Sequence, residues 1–274
     1  PGKGIAMPDP ASYEIKPFPL QRRVIADTVR MGRRKNTMYG LFEVNVTRAR
    51  QAIHAHRART GQGLSFTAFV VSCLGKAVED NKEVHGYLNG WNQVVVFDDV
   101  DIATMIEIDF EGEKFPLAHV IRATNRRSAQ EIHDEIRGIQ ADPQALLHAS
   151  NTPFMRYFLL LPAFLRDVFY GVLLRSPKLM KRTIGTVQLS TVGTFGLAGW
   201  VISPPVYNLS LMLGGVTQKP VVVGGQIASQ QMMSTTLYLN HDIVDGVPAG
   251  RFAHRLVELI EGGYGLAGPG EESS

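Results

Sequence analysis

The residues best suited to chemistry lie near the C-terminus, where His241 is followed by Asp245 and Gly246 in a His-x-x-x-Asp-Gly pattern. Histidine changes its protonation state near neutral pH, which suits a general base. A carboxylate four residues later can orient the imidazole, and the glycine permits a tight turn. The pattern predicts a catalytic histidine supported by Asp245. A histidine paired with a carboxylate in a protein core has the same spacing, so the rest of the chain must decide between the two.

A second candidate is Ser190, which closes the short apolar run 186–190 and is followed by the glycine-rich stretch 193–196. A hydroxyl at a strand end beside a flexible loop can donate a hydrogen bond to an oxyanion. A serine that only caps a turn occupies the same context, so Ser190 alone leaves both interpretations open.

Strands and helices alternate along the chain. Hydrophobic periodicity and capping residues predict them as follows: helices at 20–34, 48–59 (capped by Thr47), 65–78 (capped by Ser65 or Thr67), 129–139 (capped by Ser128) and 248–261; strands at 38–46, 93–97, 100–108, 115–121, 186–190, 209–216, 219–223 and 233–239. This alternation, without a break in composition, predicts one α/β domain with a large mixed sheet.

Composition excludes several classes of protein. The chain has 274 residues, 45% of them hydrophobic and 19% charged, which allows a substantial core and argues against disorder. A net charge of +3 is too weak to indicate a nucleic-acid partner. The single cysteine, Cys73, lies in an apolar run, so no internal disulfide is available and an inert thiol in a reducing, cytoplasmic setting is expected. No spacing of cysteine and histidine predicts a metal site.

Residues 154–174 are strongly apolar but are interrupted by Arg156, Pro162, Arg166 and Asp167. A membrane span needs about 20 apolar residues with few charges. Three interpretations remain: a buried or amphipathic helical hairpin, a lid over an acyl-chain site, and contact with a membrane surface.

Two C-terminal segments carry a family resemblance. Residues 232–246, which include the His-x-x-x-Asp-Gly pattern, resemble the end of the acyltransferase (E2) catalytic domain of 2-oxo acid dehydrogenase complexes. Residues 185–196 are similar to the strand and loop that bear that family's oxyanion serine, which falls on Ser190. Upstream segments resemble the family in the same order, namely residues 19–26, 65–69, 100–103 and 116–122. The resemblance therefore covers about residues 17–263.

The resemblance implies the CoA-dependent acyltransferase (chloramphenicol acetyltransferase-like) fold, a large mixed sheet with flanking helices, in trimers whose active sites lie at subunit interfaces. It also implies acyl transfer between CoA and a thiol or another nucleophile, with His241 as general base and Ser190 as oxyanion donor. Asp245 would hold the histidine loop through Arg22 or Arg23, with Gly246 supporting the turn. Residues that bind CoA are not assigned.

We therefore expect an N-terminal arm at 1–16, a catalytic domain at 17–264 with an apolar helical insertion at 146–182, and a flexible tail at 265–274. No lipoyl-lysine domain lies within these residues, so no lipoyl group is expected on this chain. The family's C-terminus is usually a short apolar anchor that joins trimers into larger cores, whereas residues 270–274 are polar, so an isolated trimer is favoured. The chain also carries Asn240 where the family is acidic and Asp242 where it is basic.

Three functions remain open. The leading one is a free-standing acyltransferase that uses acyl-CoA and an unknown acceptor. The second is a non-catalytic trimeric scaffold that recruits a carrier domain or another protein through residues 154–174. The third is an E2 core that uses a lipoyl carrier from another chain. None of them requires a metal or nucleic acid.

Overall fold

A computed structural model describes residues 13–110, 113–144, 152–192 and 199–266. Its centre is a six-stranded sheet of order β1-β8-β7-β6-β4-β5. In chain order the strands are β1 (Thr37–Asn45), β2 (Tyr87–Leu88), β3 (Val94–Val95), β4 (Ile102–Phe110), β5 (Glu113–Ile121), β6 (Val187–Thr191), β7 (Leu209–Val223) and β8 (Gln226–Asn240). Strand β6 runs parallel to β4 and β7, and the other neighbours are antiparallel, so the predicted mixed sheet is confirmed. Strands β2 and β3 form a separate small ladder.

Eight α-helices are described: α1 (Leu20–Gly32), α2 (Thr47–Thr60), α3 (Phe66–Asp80), α4 (Ala129–Ala141), α5 (Pro153–Leu160), α6 (Ala163–Arg175), α7 (Pro177–Ile184) and α8 (Gly246–Gly262). Two of the predicted caps are confirmed. The Ser65 hydroxyl accepts a hydrogen bond from the amide of Ala68, and Ser128 forms a reciprocal capping box with Glu131.

One face of the sheet is covered by α2, α3, α4 and α8 and forms the main core. Helix α3 is buried along nearly its whole length, as its hydrophobic sequence predicts, and Phe69 on it and Phe252 of α8 are both fully buried in this core. Full burial of a side chain of this size contributes about 1.5–3 kcal/mol. The packing of these helices against the sheet fixes the positions of the strand ends.

The opposite face of the sheet is only partly covered. A second small cluster, which includes Met31, Met180 and Tyr207, packs over one end of it. Toward the edge strand the face stays open, and Tyr39 and Leu41 of β1 are 43% and 48% exposed. A single chain therefore leaves apolar surface on the side of the sheet that carries Ser190.

Residues 154–174 form two successive helices, α5 and α6, and α7 follows them to complete the apolar insertion. It is anchored by an ion pair between Arg166 of α6 and Asp27 of α1, whose side chains are 7% and 0% exposed. Its outer surface is an exposed apolar strip, which we define as Tyr157, Leu160, Phe164, Val168 and Val172.

The outward direction of the strip shows that the two helices are not fully buried within one chain, since full burial of these side chains would leave no such surface. Within the described residues, no helix is long and apolar enough to cross a membrane. Residues 145–151 of the predicted insertion lie outside the described residues.

Two local predictions are wrong. Thr47 does not cap α2, because Val46 occupies the N-cap position and the Thr47 hydroxyl instead accepts from the amide of Gln231. The predicted strands 209–216 and 219–223 are one strand, β7, with an irregularity in its pairing between Leu213 and Val216. Gly214 lies at this point, where an added Cβ would come within 2.5 Å of a backbone oxygen of Gly199. A local irregularity can bend a strand without ending it.

The predicted N-terminal arm and C-terminal tail are described only in part, since residues 1–12 and 267–274 lie outside the described residues. Both boundaries stay predictions.

Candidate active site

His241 is presented by a turn directly after strand β8. Asn240, the last residue of the strand, accepts through its side-chain oxygen from the amide of Asp242, at 3.2 Å, and through its carbonyl from Ile243 and Val244. The amide of His241 donates to the backbone oxygen of Asn36 at 2.7 Å. The turn is therefore held from both sides, and the His241 side chain is 51% exposed.

Asp245 lies beside His241 but does not hydrogen-bond to it. The distance from His241 Nδ1 to Asp245 Oδ1 is 3.8 Å, and the carboxylate is 88% exposed. Asp245 is also the N-cap residue of α8, where the partial positive charge of the helix end favours a carboxylate. The pair is therefore placed to interact through a small adjustment or through water.

The structure does not support the predicted clamp on Asp245 within one chain. Arg23 donates to the backbone oxygen of Leu159 in α5, and Arg22 is exposed in a depression lined by residues 16–19. The first turn of α1 faces the insertion and the N-terminal segment, whereas it is the segment after α1 that reaches the histidine turn. Gly246 has no positive φ, and an added Cβ there would meet nothing within 4 Å, so the turn does not require glycine.

The residues that do support the turn were missed from the sequence. Lys35 donates to the side-chain oxygen of Asn208 at 2.6 Å and to the backbone oxygen of Val206. Asn208 also donates to the carbonyl of Gly86 and accepts, through its backbone oxygen, from the amide of Asn240 at 2.9 Å. Lys35, Asn208 and Asn240 thus form a polar network behind His241. The signal that could have found it is an asparagine at the end of an apolar strand, just before the histidine.

Burial lowers the pKa of Lys35 to about 7, against the opposing effect of the nearby Asp242 carboxylate. The Asp242 carboxylate itself accepts from the side chain of Asn36 at 2.8 Å. Asp242 stands where the family it resembles has a basic residue. Its hydrogen-bond partner, Asn36, lies on the segment between α1 and β1.

An open depression of about 650 Å³ lies beside His241. It is lined by Lys35, Asn36, Thr37, Met38, Tyr39, His241 and Asp242. The histidine thus faces a space large enough for part of a ligand, at the exposed edge of the sheet.

Ser190 is partly buried near the end of β6, on the open face of the sheet. The pairing register places it level with Met212 of β7 and Thr236 of β8, which is five residues before His241. With strands about 4.8 Å apart and about 3.3 Å per residue, Ser190 and His241 are about 19 Å apart within one chain. The structure does not bring these two predicted residues together, and residues 193–196 of the glycine-rich stretch lie outside the described residues.

The described residues bring neither Cys73 nor a cluster of metal-binding side chains to the site. Cys73 is fully buried in α3, and burial raises the pKa of its thiol far above the ordinary range, which keeps the thiol unreactive. Among the described residues, no group of three or more histidine, cysteine, aspartate or glutamate side chains could hold a metal ion.

Comparison with known proteins finds a family match for the segment that carries these residues. Residues 176–266, which contain Ser190, His241 and Asp245, match the acyltransferase (catalytic domain) of the 2-oxoacid dehydrogenases. The match covers about a third of the chain, and this segment is similar to those acyltransferases. The fold of the chain is that of their catalytic cores, so the predicted acyltransferase fold is confirmed over nearly the whole chain.

Two solved structures show the extent of that fold. A probable dihydrolipoamide acetyltransferase from Listeria monocytogenes is 18% identical, with a TM-score of 0.68 over 96% of this chain and 98% of that one. The dihydrolipoamide acetyltransferase of Azotobacter vinelandii is 17% identical, with a TM-score of 0.68 over 95% and 96%. In that enzyme the catalytic mechanism has been investigated at a serine, a histidine and an asparagine four positions after the histidine.

Curated relatives match over shorter stretches. The dihydrolipoyllysine-residue succinyltransferase component of an Arabidopsis thaliana 2-oxoglutarate dehydrogenase complex is 34% identical over 92 residues, 30% of this chain and 20% of the relative. The dihydrolipoyllysine-residue acetyltransferase component of the Acholeplasma laidlawii pyruvate dehydrogenase complex is 36% identical over 74 residues, 26% of this chain and 14% of the relative. The matched region thus spans a fifth or less of these relatives.

Proposed function

We propose that this chain is a CoA-dependent acyltransferase that moves an acyl group between CoA and a thiol or other nucleophilic acceptor. The observation that carries the proposal is the half-exposed His241, held on a braced turn beside an open depression, within the segment that matches the acyltransferase family. The Azotobacter enzyme has the same spacing between its histidine and the polar residue that follows, which supports catalytic roles for His241 and Asp245.

In the proposed reaction His241 is the general base. Its Nδ1 lies toward Asp245, which leaves Nε2 to take the proton from an acceptor thiol. The thiolate sulfur forms a bond to the carbonyl carbon of acyl-CoA, and the electron pair of the carbonyl moves to its oxygen. When this oxyanion collapses, the bond from carbon to the CoA sulfur breaks, and the proton on His241 passes to the CoA thiolate.

Ser190 donates the hydrogen bond that stabilises the oxyanion in this proposal. Because Ser190 and His241 of one chain are about 19 Å apart, each site takes its histidine from one copy and its serine from another. A homotrimer supplies three such sites, and the open apolar face of the sheet is the surface available for the contact. A cytoplasmic location, where acyl-CoA is available, is part of the proposal.

Comparing the activities of variants at two histidines tests the proposal. Activity is measured with a panel of acyl-CoAs and thiol acceptors, by release of free CoA. His241→Ala is expected to lower kcat by about 10²–10⁴ because it removes the general base. The matched control is His254→Ala, since His254 also pairs with a carboxylate four residues later, Glu258, at 3.1 Å. The proposal fails if the parent transfers no acyl group from any acyl-CoA, or if the two variants retain equal activity.

The exposed apolar strip on α5 and α6 favours a second candidate, an E2 core whose acceptor is a lipoyl domain supplied by another chain. The strip is anchored rigidly by the buried pair of Arg166 and Asp27, as a docking surface must be. In this case Val168→Glu raises KM for a dihydrolipoyl domain and leaves KM for free dihydrolipoamide unchanged. Equal KM values for the domain in the parent and the variant would exclude this candidate.

A further inference from the structure

A second depression lies far from His241, between the end of α2, the start of α3 and α4. It has a volume of about 470 Å³, and its lining includes His54 and Arg57 of α2, together with His133 and Arg137 of α4. Among the described residues that line it there is no carboxylate. Two guanidinium groups and two imidazoles therefore face one space without a countercharge in its wall.

His133 is the buried member of this group and is only 7% exposed. Its Nδ1 accepts a hydrogen bond from the amide of Ser65 at 3.0 Å. A neutral imidazole that accepts at Nδ1 carries its proton on Nε2, so Nε2 is a donor. Within the described part of the chain no hydrogen bond engages that Nε2, which lies 3.9 Å from the position of a Cβ added to Gly63 at the lining of the depression. The Nε2 donor of this mostly buried side chain is thus directed toward the space.

The arginines keep donors available as well. Arg137 uses Nη1 to donate to the side chain of Gln140 at 2.9 Å, which leaves its other guanidinium nitrogens free for a ligand. Burial and then the charge of Arg137 lower the pKa of His133, so the imidazole lies within electrostatic reach of that guanidinium. Guanidinium groups and an imidazole N–H that line one depression supply the hydrogen-bond donors that bind phosphate oxygens.

The site is separate from the proposed active site. Ser65 begins α3, whereas the other end of this 15-residue helix leads through a 3₁₀ turn to Gly86, which lies against Ile243 in the histidine turn. The two depressions are therefore separated by roughly the length of the helix, about 22 Å. A ligand phosphate group at the second depression does not contact His241 of the same chain.

We propose that the depression formed by His54, Arg57, His133 and Arg137 binds a phosphate monoester group. The ligand is either a free phosphorylated metabolite or the 3′-phosphate of a CoA molecule, which present the same dianion to the site. The inference does not depend on acyl transfer, because it follows from the placement of these donors around one depression.

Calorimetric titration of the full-length chain with inorganic phosphate, at low salt and in a buffer without phosphate, tests this inference. Saturable binding at about millimolar Kd or tighter is expected, because exposed charges are only weakly screened at low salt. When the same titration is followed by NMR, the ¹⁵N signal of His133 Nε2 should shift in the unmodified chain. Absence of saturable binding overturns the inference.

Three variants locate the binding. The double variant Arg57→Gln with Arg137→Gln should weaken phosphate binding at least about tenfold, since each charge-assisted hydrogen bond contributes strongly to affinity. Gly63→Leu keeps every charge but fills the space beside His133, and it should weaken binding to the same extent. Arg59→Gln, on the same helix but outside the lining, is the matched control and should change Kd by less than about twofold. Equal loss in Arg59→Gln would show a diffuse charge effect and overturn the proposal.

Competition distinguishes the two sources of the phosphate. If phosphate competes with CoA but not with 3′-dephospho-CoA, the group bound is the 3′-phosphate of CoA. If phosphate binds without competing with either, the site takes a free phosphorylated metabolite. Both results support the site, and melting temperatures of all variants confirm that they are folded.

Discussion

His241 depends on residues that have no catalytic chemistry of their own. Asn36 and Asn240 hold its turn through backbone and side-chain hydrogen bonds, and Asn208 connects the turn to Lys35. Amide side chains suit this task because they both donate and accept, so a single buried asparagine can connect several segments. Within the described part of one chain, His241 is therefore positioned by a polar network rather than by the arginine clamp that the family resemblance implied.

Lys35 should produce a distinctive pH dependence of stability. Its pKa in the folded protein, about 7, lies below that of an exposed lysine, so protonation favours the unfolded chain. The resulting penalty is fully present below about pH 7 and is relieved as pH rises toward the ordinary lysine pKa of about 10.4. The parent should become more stable over this range relative to Lys35→Met, measured by urea denaturation at several pH values.

Lys181→Met is a matched control for that experiment, since this lysine pairs with Asp101 at 3.2 Å. A parallel pH profile for the parent and Lys35→Met would contradict the assignment of a depressed pKa to Lys35.

At the scale of elements, the main addition to the core is the insertion α5–α7. It is joined to α1 by a cluster of charges in which Asp27 accepts from Arg166 and Arg30, and Asp167 accepts from Arg30 and Arg34. Burial by itself raises the pKa of Asp27, but hydrogen bonds from Arg166 and Arg30 lower it overall. Asp27 therefore stabilises the fold above about pH 4, and that contribution is lost as the carboxylate is protonated at lower pH.

Removing this anchor should be costly. Asp27→Ala leaves Arg166 buried without its countercharge, and breaking such a pair costs about 3–5 kcal/mol. The measurement is the free energy of unfolding from chemical denaturation at neutral pH. The control Arg34→Gln removes an exposed partner, 64% exposed, and should change the free energy by less than about 1 kcal/mol. Similar losses in both variants would mean that the pair is not effectively buried.

At the scale of the whole molecule, the separation of Ser190 and His241 within one chain predicts that mixing two inactive variants restores activity. His241→Ala and Ser190→Ala chains should each be nearly inactive alone. When they are denatured together and refolded, mixed oligomers should regain a substantial part of the parent activity, because an intact serine of one chain meets an intact histidine of another.

Refolding each variant alone is the control for that mixing experiment, and analytical ultracentrifugation verifies that trimers form. If mixed trimers assemble but no activity returns, the two residues do not belong to one shared site.

Predictions from the sequence succeeded where a local pattern carries the information. Helix α3 was predicted because its sequence is hydrophobic on most sides, and Ser65 and Ser128 were recognised as caps because their hydroxyls satisfy amides within the same turn. The His-x-x-x-Asp-Gly pattern located the histidine turn in the same way. Thr47 failed as a cap because its hydroxyl binds Gln231, 184 residues away.

The sequence by itself predicted the mixed sheet and the acyltransferase-like fold, and it singled out the candidate catalytic residues. Only the tertiary structure decided that Ser190 and His241 of one chain lie apart, that Lys35 and Asn208 brace the turn, and that Arg166 anchors the insertion through Asp27. The physical reason is that periodicity records which face of an element is buried, whereas the partner of a buried polar group is set by how distant segments pack. Lys35 and Asn208, 173 residues apart, meet only once the sheet has assembled.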